Sequence, residues 1–188
     1  MSSRAYTEYL EVLLADAKEL DEAHKKLRTK ARGRQWGLGA LNRASVVMCV
    51  SAWESYLEEV LRESLEGIRP VAAPVGPWAA LKAGSDGAIG RFNTPNAENT
   101  RKLFASCLGI ADITNSWRWR HCDPVTARRK LNEAMTKRHE IAHGVNPRPI
   151  IHNNYSEWLP GFFRNLGRCT DRAVRGHLVA VLGVAPPW

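Results

Sequence analysis

Tyr6, Leu10, Leu13, Ala17, Leu20, His24 and Leu27 follow one another at alternating steps of four and three. A stripe of that period lies along one face of an α-helix, and other elements must cover it. Helical periods return in later segments, and no alternating apolar and polar run of useful length appears anywhere in the chain. The predicted fold is therefore all-α, an antiparallel bundle of four or five helices.

A second helix is predicted over residues 40–68, carrying "LNRASVVMCVSAWESYLEEVLRESLEGI". Residues 69–97 hold four prolines and four glycines, and are predicted to form a long Pro/Gly-rich loop with one short turn around "WAALKA". A third helix is expected in "AENTRKLFASCLG". The next, "DPVTARRKLNEAMTKRHEIAHG", opens with Asp123 as N-cap and Pro124 at the first helical position, and it closes at Gly144. The last helix is placed at about 160–183, with Phe163, Leu166, Thr170, Val174, His177 and Val181 as its stripe, weakened by Gly167 and Gly176. His24 and His177 fall within stripes and are expected to be packing residues. A chain of 188 residues can bury one real core, so a single domain spanning 1–188 is expected.

Cys49, Cys107, Cys122 and Cys169 are scattered without a C-x-x-C pair, and the chain starts with charges alternating with apolar residues rather than a secretory h-region. These features predict a reduced, cytoplasmic location. No apolar run approaches the roughly 18 residues that a membrane span needs, so no membrane association is expected. Charge is divided unevenly: residues 1–99 hold 13 Lys/Arg against 13 Asp/Glu, whereas residues 100–188 hold 14 against 6. A basic half joined to a neutral half suggests a polyanion partner, most simply RNA, met by Arg118, Arg120, Arg128, Arg129, Lys130 and Lys137, with Arg101 and Lys102 also in that half. The alternative is a solvated basic face.

The segment "KRHEIAHGVNP" supports two chemistries. From His139 it reads H-E-x-x-H, which would place His139 and His143 one helical turn apart as zinc ligands. A catalytic zinc needs a third protein ligand, but Pro149 stands where an extended motif would need histidine, and Glu157 and Asp171 lie in no convincing register. No metal or other cofactor is therefore expected. From Arg138 the same segment reads as arginine, four residues, then His143, a pair suited to metal-free attack on a phosphodiester. Glu54 lies among Val47, Val50, Leu57 and Leu61, and Arg138 among Leu131, Met135 and Ala142, so both charges occupy apolar registers. An unpaired buried ion costs several kcal/mol, so Glu54 is expected to meet Arg138 across the bundle.

Three stretches together resemble the HEPN superfamily, and within it the RiboL-PSP-HEPN-like group. They are "RASVVMCVSAWESYLEEVLRE", "RFNTPNAENTRKLFASCLGIADI" and "KRHEIAHG", spanning roughly residues 40–144. The resemblance implies a two-fold homodimer of helical bundles that cuts RNA without metal, as a toxin or antiviral component. Such a role would bring in an antitoxin or sensor protein as a further partner. It also implies that Arg138 and His143 form the catalytic pair, with His139 the polar residue of the motif and Glu54 the carboxylate facing it. The competing expectation is a helical RNA-binding or partner-binding module in which Arg138 and Glu54 are structural.

Cleavage of RNA by its own 2′-hydroxyl needs a base, an acid for the departing 5′-oxygen and a cation for the phosphorane. Imidazole titrates near neutrality and suits either proton role, while a guanidinium fork suits the phosphorane. The acid could be His139, or His143 of a second subunit. Residues five apart on a helix differ by about 140° in direction, so Arg138 and His143 do not share a face. A loosened last turn before Gly144, or a dimer, would relieve that separation.

Overall fold

The computed structural model describes residues 2–29, 38–69, 75–144, 150–180, 183, 186 and 188. Six α-helices are present among them: α1 (Glu11–Leu27), α2 (Gly39–Gly67), α3 (Val75–Gly90), α4 (Ala97–Leu108), α5 (Pro124–His143) and α6 (Asn153–Ala180). A π-helical turn, Ala5–Leu10, leads into α1, and a 3₁₀ turn, Ile113–Ser116, precedes α5. No strand occurs among the described residues, so the all-α class holds. None of the described helices is long and apolar enough to cross a membrane. Pro70, Pro74, Pro147, Pro149 and Val181 lie outside the described residues.

The core is built on α2. Trp53 and Tyr56 stack at 5.5 Å between ring centroids, and Trp117 and Phe163 each approach Trp53 to 6.0 Å. The indole N–H groups of these two tryptophans are satisfied: Trp53 Nε1 donates to Pro95 O (3.1 Å) and Trp117 Nε1 to Thr170 Oγ1 (3.0 Å). Ser45 bonds to Ala17 O while Glu63 accepts from Ala5 N–H, so α1 runs antiparallel to α2. Arg164 pairs with Glu11 and Lys25 with Glu157, so α1 is antiparallel to α6 as well. Consequently α2 and α6, each antiparallel to α1, run parallel to each other, with Asn42 beside Ser156 and Tyr56 beside Asp171.

Three expectations change. The segment predicted as a loop contains the 16-residue α3, with Pro77 near its start, where a missing N–H costs little, and Lys82 joined to Asp86 (2.9 Å) one turn on. Helix α6 begins at Asn153, seven residues before the expected start, and carries Pro160 inside it. In α1 the buried face is Leu10, Leu14, Ala17, Asp21 and His24, while Leu27 is exposed. Tyr6, Leu10, Ala17 and His24 of the expected stripe are buried, while Leu14 and Asp21 take the places expected for Leu13 and Leu20. Buried His24 leaves Nδ1 without a hydrogen-bond partner, unlike half-buried His177, whose Nε2 lies 2.8 Å from Leu108 O.

Helix α5 is held at several points. Asp123 caps it by accepting from Thr126 N–H (2.7 Å), and Gly144 ends it at φ +63°. Ala127, Leu131, Ala134 and Met135 are buried, and the Asn132 side chain accepts the Ala97 N–H at the start of α4 (3.0 Å). Arg128 donates to Thr114 Oγ1 (2.9 Å) and Asn115 Oδ1 (3.1 Å). This clamping fixes the direction in which the last two turns project.

Candidate active site

The fully buried stripe of α5 runs out at Met135, and in the turns that follow Ile141 still packs, partly buried, against the core. Arg138 stands half-exposed at the rim rather than buried. The physical reason is the cost of removing an unpaired guanidinium from water, which the rim position avoids. Glu54 is likewise half-exposed, and no hydrogen bond or ion pair joins it to Arg138, so the expected direct pair across the bundle is absent. The two charges still sense each other. Burial pushes the Glu54 carboxyl up, and the neighbouring Glu58 adds to this, while the Arg138 charge pulls it down. Glu58 is itself paired with Arg62 (3.0 Å).

His139 and His143, one turn apart, bring their rings to 4.4 Å between centroids at 41°. Both are exposed, and neither has a hydrogen bond among the described residues. His143 is the last helical residue, at the C-terminal end of α5. The rim of α5 thus presents two adjacent imidazoles and, one step around the helix from His139, a guanidinium with a carboxylate in its field. Two imidazoles within one turn can supply a base and an acid, and the guanidinium can supply a fixed positive charge.

Of the two carboxylates weighed as third metal ligands, Glu157 pairs with Lys25 (3.1 Å). Asp171 is buried, accepting from Ser3 N–H (2.7 Å), Ser3 Oγ (2.7 Å) and Tyr56 OH (2.8 Å). Among the described residues no group of three or more His, Cys, Asp or Glu side chains is arranged to hold a metal ion. The four cysteines are free and buried.

The basic residues separate in space although several are adjacent in sequence, because each step along a helix turns by about 100°. Arg128 is tied to the 3₁₀ turn, Arg129 points to solvent, and Lys130 lies with its Nζ 4.8 Å from the centroid of the Trp158 ring. Lys137 lies against Tyr155 (5.1 Å) and pairs with Glu133 (3.6 Å). Arg118 and Arg120 are exposed in the short segment before α5. Sequence reasoning missed the aromatic side of this arrangement. Tyr155, Trp158 and Phe162 stand three and four apart, a helical stripe that an α6 start at residue 160 cuts in two.

A rigid α-helical bundle that ends one helix in Arg138, His139 and His143 defines a class of domain in which a helix terminus presents cationic and imidazole groups. The sequence pattern of the RiboL-PSP-HEPN family matches residues 11–175, and the chain belongs to that family. The match covers every helix from α1 to α5 and most of α6. No curated protein and no solved structure matches it.

Proposed function

We propose that the protein is a metal-independent endoribonuclease acting through Arg138, His139 and His143, with Glu54 orienting Arg138 through its field. The observation that carries this proposal is that all three motif side chains are unpaired, His139 and His143 exposed and Arg138 half-exposed, on a helix otherwise fixed by caps and buried contacts. In the reaction, the ribose 2′-hydroxyl gives its proton to an imidazole and its oxygen attacks the adjacent phosphorus. The bond from phosphorus to the 5′-oxygen breaks, and that oxygen takes a proton from a second imidazole. The products are a 2′,3′-cyclic phosphate and a free 5′-hydroxyl. Arg138 meets the negative charge that builds on the non-bridging oxygens.

The His139 and His143 pair can serve both proton roles within one chain, and a second copy across a two-fold axis would supply an alternative His143. The proposed partners are RNA and a second copy of this chain, and a toxin or defence role would add an antitoxin or sensor protein. Arg118, Arg120, Arg129, Lys130 and Lys137 would meet phosphates, while Arg128 contributes chiefly through its hold on the 3₁₀ turn. The test is RNA cleavage in excess chelator, with products analysed for cyclic phosphate ends. Loss of cleavage in His143→Ala supports the proposal. Equal cleavage by that variant, or none by the unaltered protein, leaves a helical RNA-binding or partner-binding module in its place.

A further inference from the structure

Trp158 is 36% exposed, whereas Trp53 and Trp117 are fully buried and Trp188 is 6% exposed. It forms the shared wall of two adjacent clefts of about 390 Å³ and 320 Å³. Lys137 and Tyr155 line the first, and Arg120, Lys130 and Phe162 line the second. The rings form a ladder along α6. Trp158 stacks on Phe162 at 4.9 Å and 27°, and Tyr155 follows at 5.7 Å. Phe162 is 3% exposed and anchors the ladder in the core, so Trp158 is supported from beneath while part of its surface remains open.

The cations beside the ladder come from a different helix. Lys130 and Lys137 are seven residues apart on α5, which places them on one face, and each rests on an aromatic ring of α6. Lys130 makes no ion pair among the described residues. A lysine lying on an exposed ring is a weak and replaceable cover. A flat π-system can take its place, leaving the ammonium group for a phosphate beside it. Aromatic platforms flanked by lysine and arginine suit unpaired nucleobases, since every base offers a π-face and every linkage a negative charge. In a duplex those faces are buried in the stack, and exposing one requires flipping it out.

We propose that the α5–α6 face binds single-stranded RNA by stacking unpaired bases on Trp158, with Lys130, Lys137 and Arg120 meeting the flanking phosphates. The inference rests on RNA being the substrate and narrows it to unpaired strands. Lys137 immediately precedes Arg138, so a strand seated on this face leads toward the motif at the end of the same helix.

The experiment uses the full chain carrying His143→Ala, so that bound RNA stays intact. Fluorescence anisotropy reads its binding to a labelled oligouridylate and to an RNA duplex of equal length, across a range of salt concentrations. Trp158→Leu keeps an apolar side chain and removes the π-face, and it should weaken oligouridylate binding by about tenfold to a hundredfold. Its log-log salt slope should match that of the parent because no charge is lost. Trp158→Phe should retain most of the affinity, and duplex binding should be the same in all three proteins. Oligouridylate binding by Trp158→Leu equal to that of the parent would overturn the inference, as would equal weakening toward strand and duplex. A parent that binds neither RNA would overturn it together with the proposed function. Binding through Trp158 by the parent, with no cleavage by the protein that retains His143, would uphold this inference and sink the catalytic proposal alone.

Discussion

The polar groups under α6 and those at the end of α5 are treated in opposite ways. Asp171 is buried and accepts three hydrogen bonds from Ser3 and Tyr56, closing the contact between the π turn, α2 and α6. Burial still pushes its carboxyl up, against the pull of those hydrogen bonds. Arg138, His139 and His143 have no such partners, and only the two imidazoles touch each other. The Asp171 carboxylate is satisfied within the fold, whereas the motif side chains are left unbonded at the rim, with both imidazoles exposed and Arg138 half-exposed. Side chains that make no bond within the fold but sit on a clamped helix are the ones a ligand or substrate can use.

The sharpest way to break this comparison is to remove the open residues and measure both activity and stability. His143→Ala and Arg138→Ala should each lower the single-turnover cleavage rate by about a hundredfold or more. Because neither side chain is bonded within the fold, the melting temperature should stay nearly unchanged. A large fall in melting temperature would show that the motif holds the bundle together and would erase the contrast.

Gly167→Ala probes the closed side. A methyl group there would meet Leu10 Cδ2 and press on the Tyr6 ring at 3.1 Å, so overpacking should cost about 1–3 kcal/mol in denaturant unfolding. Cleavage per folded molecule should not change. Arg128→Ala should behave similarly on a smaller scale, losing about 1 kcal/mol with its bonds to Thr114 and Asn115 while RNA affinity holds. The adjacent Arg129→Ala should do the reverse, leaving stability alone and flattening the log-log salt dependence of RNA binding by about 0.7. If the two arginines respond alike, the division between structural and free cations is wrong.

The smallest effect is expected at Glu54. Its carboxyl is raised above its unfolded value, so the folded state holds that proton more tightly. The resulting stabilisation is complete below the unfolded value of about 4.3 and is lost as pH rises through the raised one. Glu54→Gln should flatten that decline in a series of unfolding curves. At neutral pH it should change stability by less than about 1 kcal/mol, because the residue is half-exposed and forms no ion pair. A loss of several kcal/mol would mean that Glu54 and Arg138 form the tight buried pair that their registers suggest.

Local signals were legible where the chemistry was local. Asp123, Pro124 and Gly144 mark α5 in the sequence and bound it in the structure, and Asn96 and Gly109 frame α4 as cap and left-handed terminus. Pro160 and the glycines of residues 75–90 pointed the wrong way, because tertiary contacts override weak helix propensity. Ile89 is fully buried, and Lys82 also reaches Glu66 of α2 (3.7 Å), which ties α3 to the bundle. The registers of Glu54 and Arg138 suggested a buried pair, whereas the two stand half-exposed and unbonded, close enough only for the charge of one to act on the other. Periodicity could not say that full burial in α5 stops at Met135, since that depends on where α2 and α4 cross it. The Trp158 ladder was visible in spacing alone, but only once α6 was extended back to Asn153.

The missing side chain at Gly167 also ties distant positions together in inheritance. A lineage that gained a methyl group there would need a smaller residue at 10, or a ring shifted at 6, in order to keep the π turn seated on α6. Positions 6, 10 and 167 should therefore change together among relatives or not at all, while residues 139 and 143 drift or persist for reasons unrelated to that seam.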